Sequence, residues 1–208
     1  MLLTERQANR VVLYDISWQQ FNHIIDNLGE SRGARVAYDR GVLEIMNPLP
    51  EHEYYKEVFS EAIKETSKVL DINYESLGST TWRKESSLAG VEADNCFYFQ
   101  NEALVRGKLE FDLDEDPPPD LVLEIDLTSK SLSRFPIYAR LGVPEIWCYN
   151  IGNLLVYQLK DQEYIEVEIS SVFPMLKVQD LPAIIEENRS AGRRAIHRAV
   201  REWASRNT

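Results

Sequence analysis

The residues best able to do chemistry lie in one segment, Pro117-Pro118-Pro119-Asp120-Leu121-Val122-Leu123-Glu124-Ile125-Asp126. Residues 121–127, LVLEIDL, are apolar everywhere except Glu124 and Asp126, which reads as a central strand buried on both faces. Side chains alternate along a strand, so Asp120, Val122, Glu124 and Asp126 share one face. Carboxylates on a buried face are costly unless a basic side chain, a metal ion or a proton neutralises them. A further acidic residue, Asp94, heads another apolar run, Asn95-Cys96-Phe97-Tyr98-Phe99. If the two strands are neighbours, Asp94 and Glu124 can converge on one hard divalent cation of the kind that prefers oxygen ligands, Mg²⁺ or Mn²⁺. The plainer reading is that Asp120 ends a proline-rich loop, Asp126 begins the next one, and Glu124 pairs with an arginine. Spacing alone does not choose between them.

The elements that must position these residues follow from periodicity. Val11 to Ile16 reads as a strand, and Ser17 stands as N-cap to a short helix from Trp18 to Leu28 that Gly29 ends. ARVAY and VLEIM, separated by Asp39-Arg40-Gly41, read as a hairpin with a three-residue connection in which the glycine supplies positive φ. Tyr55, Val58, Phe59, Ala62 and Ile63 keep the spacing of an amphipathic helix that runs to about Leu70. From Ile72 the pattern turns to strands at INYESLGSTTWRK, NCFYF and LVLEIDL. A helix over residues 131–141 then crosses over to EIWCYN, and the ribbon LLVYQL and YIEVEI follows. Two helices, roughly 182–188 and 190–206, close the chain. This order predicts an α/β or α+β domain without internal repeats.

The chain has 208 residues, with 34 acidic against 23 basic side chains and a formal net charge of −11, which is one ordinary domain's worth. A hydrophobic content of 44% excludes a disordered or fibrous protein. Cys96 and Cys148 are too few for a disulfide framework or a zinc site and read as core thiols. No stretch approaches the roughly 18 apolar residues of a membrane span, and the start MLLTERQANR lacks the features of a signal peptide, so a cytoplasmic protein is expected. Residues 1–188 hold 17 basic and 33 acidic side chains, a net of −16, whereas 189–208 carry six arginines against Glu202, a net of +5. Phosphate binding draws on Lys and Arg, so an acidic body restricts any nucleic acid contact to local patches. The basic tail is either a solvated helix or partner for the body's acidic surface, or a helix that contacts phosphate.

PPPDLVLEID, the following Ser131-Leu132-Ser133-Arg134-Phe135-Pro136-Ile137-Tyr138-Ala139-Arg140-Leu141-Gly142-Val143-Pro144-Glu145-Ile146-Trp147, and GVEADNCFYF upstream resemble the Uma-two family of bacterial restriction endonucleases over roughly residues 12–180. That resemblance implies a restriction-endonuclease-like fold, a mixed four- to five-stranded sheet flanked by helices, with a PD-(D/E)xK nuclease site. In such a site acidic residues bind Mg²⁺, the metal activates water, and a lysine orients or deprotonates the nucleophile. By the resemblance, Asp94 and Glu124 are metal ligands, Asp120 is the aspartate of the family's Pro-Asp signature, and Glu51, beside His52 at the start of the long helix, completes the metal shell. Asp126 stands where the superfamily has lysine, so the basic group must come from Lys130, Arg134 or Lys84. Arg134 would stabilise phosphate charge without acting as a base. Tyr138, Trp147 and Tyr98 read as core aromatics.

The expected protein is a single domain over 1–188 with a basic helix at 189–208 packed on or extending from it. Its expected activity is Mg²⁺- or Mn²⁺-dependent hydrolysis of DNA, carried out by a homodimer, with no membrane partner. The alternative is a non-catalytic binding or regulatory module that keeps the nuclease fold. A weaker third reading is a hydrolase that uses paired carboxylates on a sugar, but no aromatic-rich, turn-rich loops support it.

Overall fold

The computed structural model describes residues 9–29, 33–78, 80–127 and 132–207. Strand β1 (Arg10–Leu13) precedes helix α1 (Trp18–Leu28), which starts in a reciprocal capping box: Ser17 Oγ accepts from the Gln20 amide and Gln20 Oε1 accepts from the Ser17 amide. The hairpin follows as β2 (Arg35–Asp39) and β3 (Val42–Met46). Asp39 pairs with Val42, so the connection has two residues rather than three, Arg40 and Gly41, with φ of 46° and 94°. Two successive positive φ values give a turn whose twist matches the strands. Helix α2 (Pro50–Val69) begins with proline in its first turn and is the longest in the chain.

Residues 72–84, expected as one strand region, hold two short strands that join different sheets, β4 (Glu75–Ser76) and β5 (Thr81–Lys84). Next come β6 (Ala89–Glu92), β7 (Asn95–Tyr98), the one-turn helix α3 (Glu102–Val105) and β8 (Leu121–Ile125). Helix α4 (Phe135–Leu141) crosses to β9 (Glu145–Asn150), which leads into the ribbon β10 (Asn153–Lys160) and β11 (Glu163–Val167). Helices α5 (Leu181–Asn188) and α6 (Arg193–Arg206) complete the order.

The strands form two sheets where the resemblance implies one. One is antiparallel, in the order β1-β3-β2-β6-β5. The other is mixed, in the order β11-β10-β9-β8-β7-β4, with β8 and β9 the parallel pair that α4 connects. This α+β architecture, a mixed sheet flanked by helices, is the predicted class.

Strand β8 is buried along its length, and its alternation sorts the core. Leu121, Leu123 and Ile125 pack under α2, α5 and α6 with Phe59, Ile63, Trp147, Ile185, Val200 and Trp203. Val122 lies on the opposite face with Tyr138, Ile146 and residues of β5 and β6. Glu124 shares this second face, toward α4.

The basic tail packs against the body. Helix α6 buries Ile196, Val200 and Ala204, while Arg193 and His197 reach Glu61 on α2 and Arg201 reaches Glu65. Arg189 and Arg193 also lie over the Tyr54 ring, at 4.9 and 5.1 Å. These pairs use part of the tail's charge on the body's acidic surface. No helix among the described residues is long and apolar enough to cross a membrane.

Candidate functional site

The chain leaves one sheet and enters the other at Ala93-Asp94, between β6 and β7. Asn95 pairs with Leu123 in the antiparallel β7–β8 ladder, so one step further along Asp94 stands across from Glu124. Both side chains are fully buried. The amide of Ile125 donates to Asp94 Oδ2 at 2.8 Å, tying the corner to the strand that carries Glu124. The two residues singled out in the sequence are therefore brought together.

Cations from three elements meet them. His52, in the first turn of α2, lies with Nε2 3.1 Å from Asp94 Oδ2 and Nδ1 3.4 Å from Glu53 Oε1. Burial works against charge on this imidazole, but Asp94 and Glu53 outweigh it and push the pKa up to about 9. The same contact with His52 holds the Glu53 carboxyl down at about 2, against burial and with help from Lys56 and Arg35. Burial alone would raise Asp94; His52, Arg134 and the Ile125 amide together hold it well below the usual carboxylate range.

Arg134 and Tyr138 lie one helical turn apart, at the start of α4, and reach Glu124 from the same side. Arg134 Nη1 donates to Glu124 Oε2 at 2.9 Å and Oε1 at 3.3 Å, and the Tyr138 hydroxyl donates to Oε1 at 2.5 Å. Burial opposes the charge on Arg134, yet Glu124 and Asp94 raise its pKa, so it remains a cation. Tyr138 is raised by burial and by Glu124, which keeps the proton on its hydroxyl. Tyr138 is thus a core aromatic, as expected, whose polar end serves the site.

No sequence pattern marks Arg35. It projects from β2 and sends Nη1 to Glu92 Oε1 at 2.6 Å, Nη2 to Glu53 Oε1 at 3.3 Å, and Nε to within 3.6 Å of Asp94 Oδ1. Glu44 on β3 is also buried, 3.7 Å from Arg10. These partners are far apart in sequence, so only the fold reveals them. A cleft of about 1220 Å³ opens beside the cluster, lined by Arg35, Glu53, Glu92, Lys56, Trp82 and Lys108 among others.

Other expected site residues lie elsewhere. Asp120 is buried, but its oxygens hold a loop: they accept from the amides of Phe99 and Asn101 at 2.7 and 3.0 Å and from Asn101 Nδ2 at 2.6 Å. Glu51 is exposed on the first turn of α2, and the carboxylate of that turn that reaches the cluster is Glu53. The Lys84 amino group donates to the Leu113 carbonyl at 3.0 Å and lies 3.7 Å from Asp114. Lys130 lies outside the described residues. Trp147 and Tyr98 are buried, with their polar atoms on Glu145 and the Pro117 carbonyl.

Two of the buried carboxylates contrast with those of the cluster. Asp120 and Glu145 are satisfied by neutral donors, the latter by Trp147, Gln158, Ser170 and Ser171. Asp94, Glu92 and Glu124 face cations. Neutral satisfaction fixes a fold, whereas carboxylates facing charge present a field that an incoming cation or phosphate can enter. Asp94 Oδ1 is buried without a hydrogen-bond partner, as an oxygen reserved for a hard cation would be. Among the described residues no group of three or more His, Cys, Asp and Glu could hold a metal ion by itself. Mg²⁺ needs less, because it keeps waters and uses one or two carboxylates with substrate phosphates, so Asp94 and Glu124 fit it.

A family profile described as "Uma2: Putative restriction endonuclease" matches residues 18–190. Among solved structures, the chain is similar to one described as a putative nuclease belonging to DUF820 from Anabaena variabilis. The identity is 13%, the match covers 79% of this chain and 90% of that one, and the TM-score is 0.46. No curated protein matches the chain.

Proposed function

The chain belongs to the Uma2 family, and from that premise we propose that it is a nuclease that hydrolyses DNA phosphodiester bonds beside Asp94 and Glu124 with the help of Mg²⁺ or Mn²⁺. The observation that carries this reading is the fully buried Asp94 carboxylate, with Oδ1 lacking a hydrogen bond, across the strand pair from Glu124. Asp94 and Glu124 are the residues that would hold the cation. When bound, such an ion supplies an activated water and offsets charge on the phosphate.

The chain's own groups do the rest. Arg134 keeps a permanent positive charge beside Glu124, where it can face a phosphate oxygen, and the Tyr138 hydroxyl fixes the carboxylate's orientation. His52 is protonated at neutral pH, pinned on Asp94, and so places an acidic proton beside the reaction centre. The cleft past Arg35 and Glu53 gives a strand its approach. A homodimer accompanies this reading, because cutting both strands of a duplex takes two sites, and light scattering of the purified chain tests it.

Cleavage of supercoiled plasmid with Mg²⁺ or Mn²⁺ is the deciding experiment. Wild type is expected to nick, and Asp94→Asn and Glu124→Gln to lose at least about a hundredfold in rate. Wild-type rates in Glu124→Gln overturn the assignment. Glutamine is the better replacement, because alanine would leave the buried Arg134 guanidinium unpaired and confound loss of chemistry with loss of fold.

One observation favours the second reading, a nuclease fold without the chemistry. Arg134, Arg35 and His52 already stand against Glu124, Glu92 and Asp94. Calorimetry that finds no Mn²⁺ binding to the wild type supports this module over the enzyme.

A further inference from the structure

Arg35 has no role in the nuclease reading, yet it is built into the same corner. It is 6% exposed on β2, and its three nitrogens face three carboxylates delivered by α2, by β6 and by the sheet-to-sheet corner. The 2.6 Å contact with Glu92, itself buried, fixes the guanidinium, so it cannot swing aside at little cost. Its Nε and Asp94 Oδ1 are both buried without a hydrogen-bond partner, and they face one another at 3.6 Å. That pair is a charge interaction rather than a hydrogen bond, and between two buried groups it is weakly screened. Unlike His52, an arginine does not give up its charge within the range where proteins stay folded. A cation arriving at Asp94 Oδ1 therefore meets a fixed like charge that already occupies part of that oxygen's field.

We propose that Arg35 is a built-in counter-cation that competes with a divalent metal ion for Asp94 and so sets the metal affinity of the site. The proposal rests on the reading of Asp94 and Glu124 as the cation-binding pair. It gives Arg35 a task that a merely structural salt bridge would not have, since swapping such a bridge for neutral residues of similar shape leaves metal affinity unchanged.

The test is titration of Mn²⁺ alone into the full chain at neutral pH, by calorimetry. Replacing the pair together, as Arg35→Met with Glu92→Gln, leaves no buried charge unpaired between them. That double variant is expected to bind Mn²⁺ at least about tenfold more tightly than wild type. Adding Asp94→Asn is expected to remove the gain, and Arg35→Lys, which keeps the charge, to bind like wild type. Thermal melting of Arg35→Gln gives a second readout, a larger Mn²⁺-dependent rise in Tm than wild type shows.

Equal affinity in wild type and the double variant, or no binding in either, overturns the proposal. Binding in the double variant with none in wild type upholds it and overturns the metal-dependent nuclease reading of the native chain. Wild-type binding that Glu124→Gln abolishes and the double variant leaves unchanged keeps the nuclease reading and discards the role given to Arg35.

Discussion

His52 takes up a proton on folding and holds it where an ordinary imidazole would be neutral. Its pKa stands near 9 in the folded chain against 6.5 for the free side chain, so the proton stabilises the fold, by an amount of the order of 3 kcal/mol. This stability is fully present below pH 6.5 and is lost as pH rises through about 9. An NMR titration should find the His52 ring protons moving near pH 9, and His52→Ala should flatten the fall in unfolding free energy between pH 7 and 9. Arg134→Met leaves Glu124 buried without its cation and should cost about 3–5 kcal/mol in urea unfolding, while Arg134→Lys should recover part of it. Asp94 and Glu124 were legible in the sequence because strand alternation and the family motifs both mark them. Arg35 and Glu53 were not, because their meaning lies in partners brought close only by folding, Arg35 and Glu92 being 57 residues apart. Asp120 shows the converse: a carboxylate in a motif, on the right strand face, whose oxygens are used by a loop.

At the level of elements, most of the pattern was readable. The N-cap at Ser17, the apolar stripe of α2 and the unbroken burial of β8 are local signals, and each appears where it was expected. The two short strands β4 and β5 were not separable, because two to four residues carry too little period to show that the chain changes sheets between them. Asp120→Ala should cost about 1–3 kcal/mol, since it strands the amides of Phe99 and Asn101, and should leave Mn²⁺ binding unaltered; a combined melt and calorimetric titration checks both. Gly90→Ala should be destabilising by about 1–3 kcal/mol, because a Cβ there would come within 2.6 Å of the Phe21 ring where α1 packs on β6. A Phe21→Leu partner change that restores the melting temperature would identify the clash as the cause.

Across the whole molecule, charge and packing set the terms on which a polyanion can approach. Residues 1–188 carry a net charge of −16, and Arg193 and Arg201 are paired with α2. Binding to DNA should therefore release few counterions, so fluorescence anisotropy across a salt series should give a log–log slope shallower than about −4. Removing residues 189–208 should unfold the chain rather than trim it, because Ile196, Val200 and Trp203 belong to the main core; loss of the cooperative melt is the readout. The overall fold class came from the order of elements. The pairing of two sheets around one corner did not, since no local pattern encodes where a strand changes neighbours.

That corner also governs when the buried charge cluster comes into being during synthesis. The contacts that build it join residues 57, 42 and 31 positions apart, and they need β2, α2, β6 and β8 all in place. An emerging or half-folded chain therefore contains the acidic residues but none of the arrangement, which exists only after the two sheets have locked together.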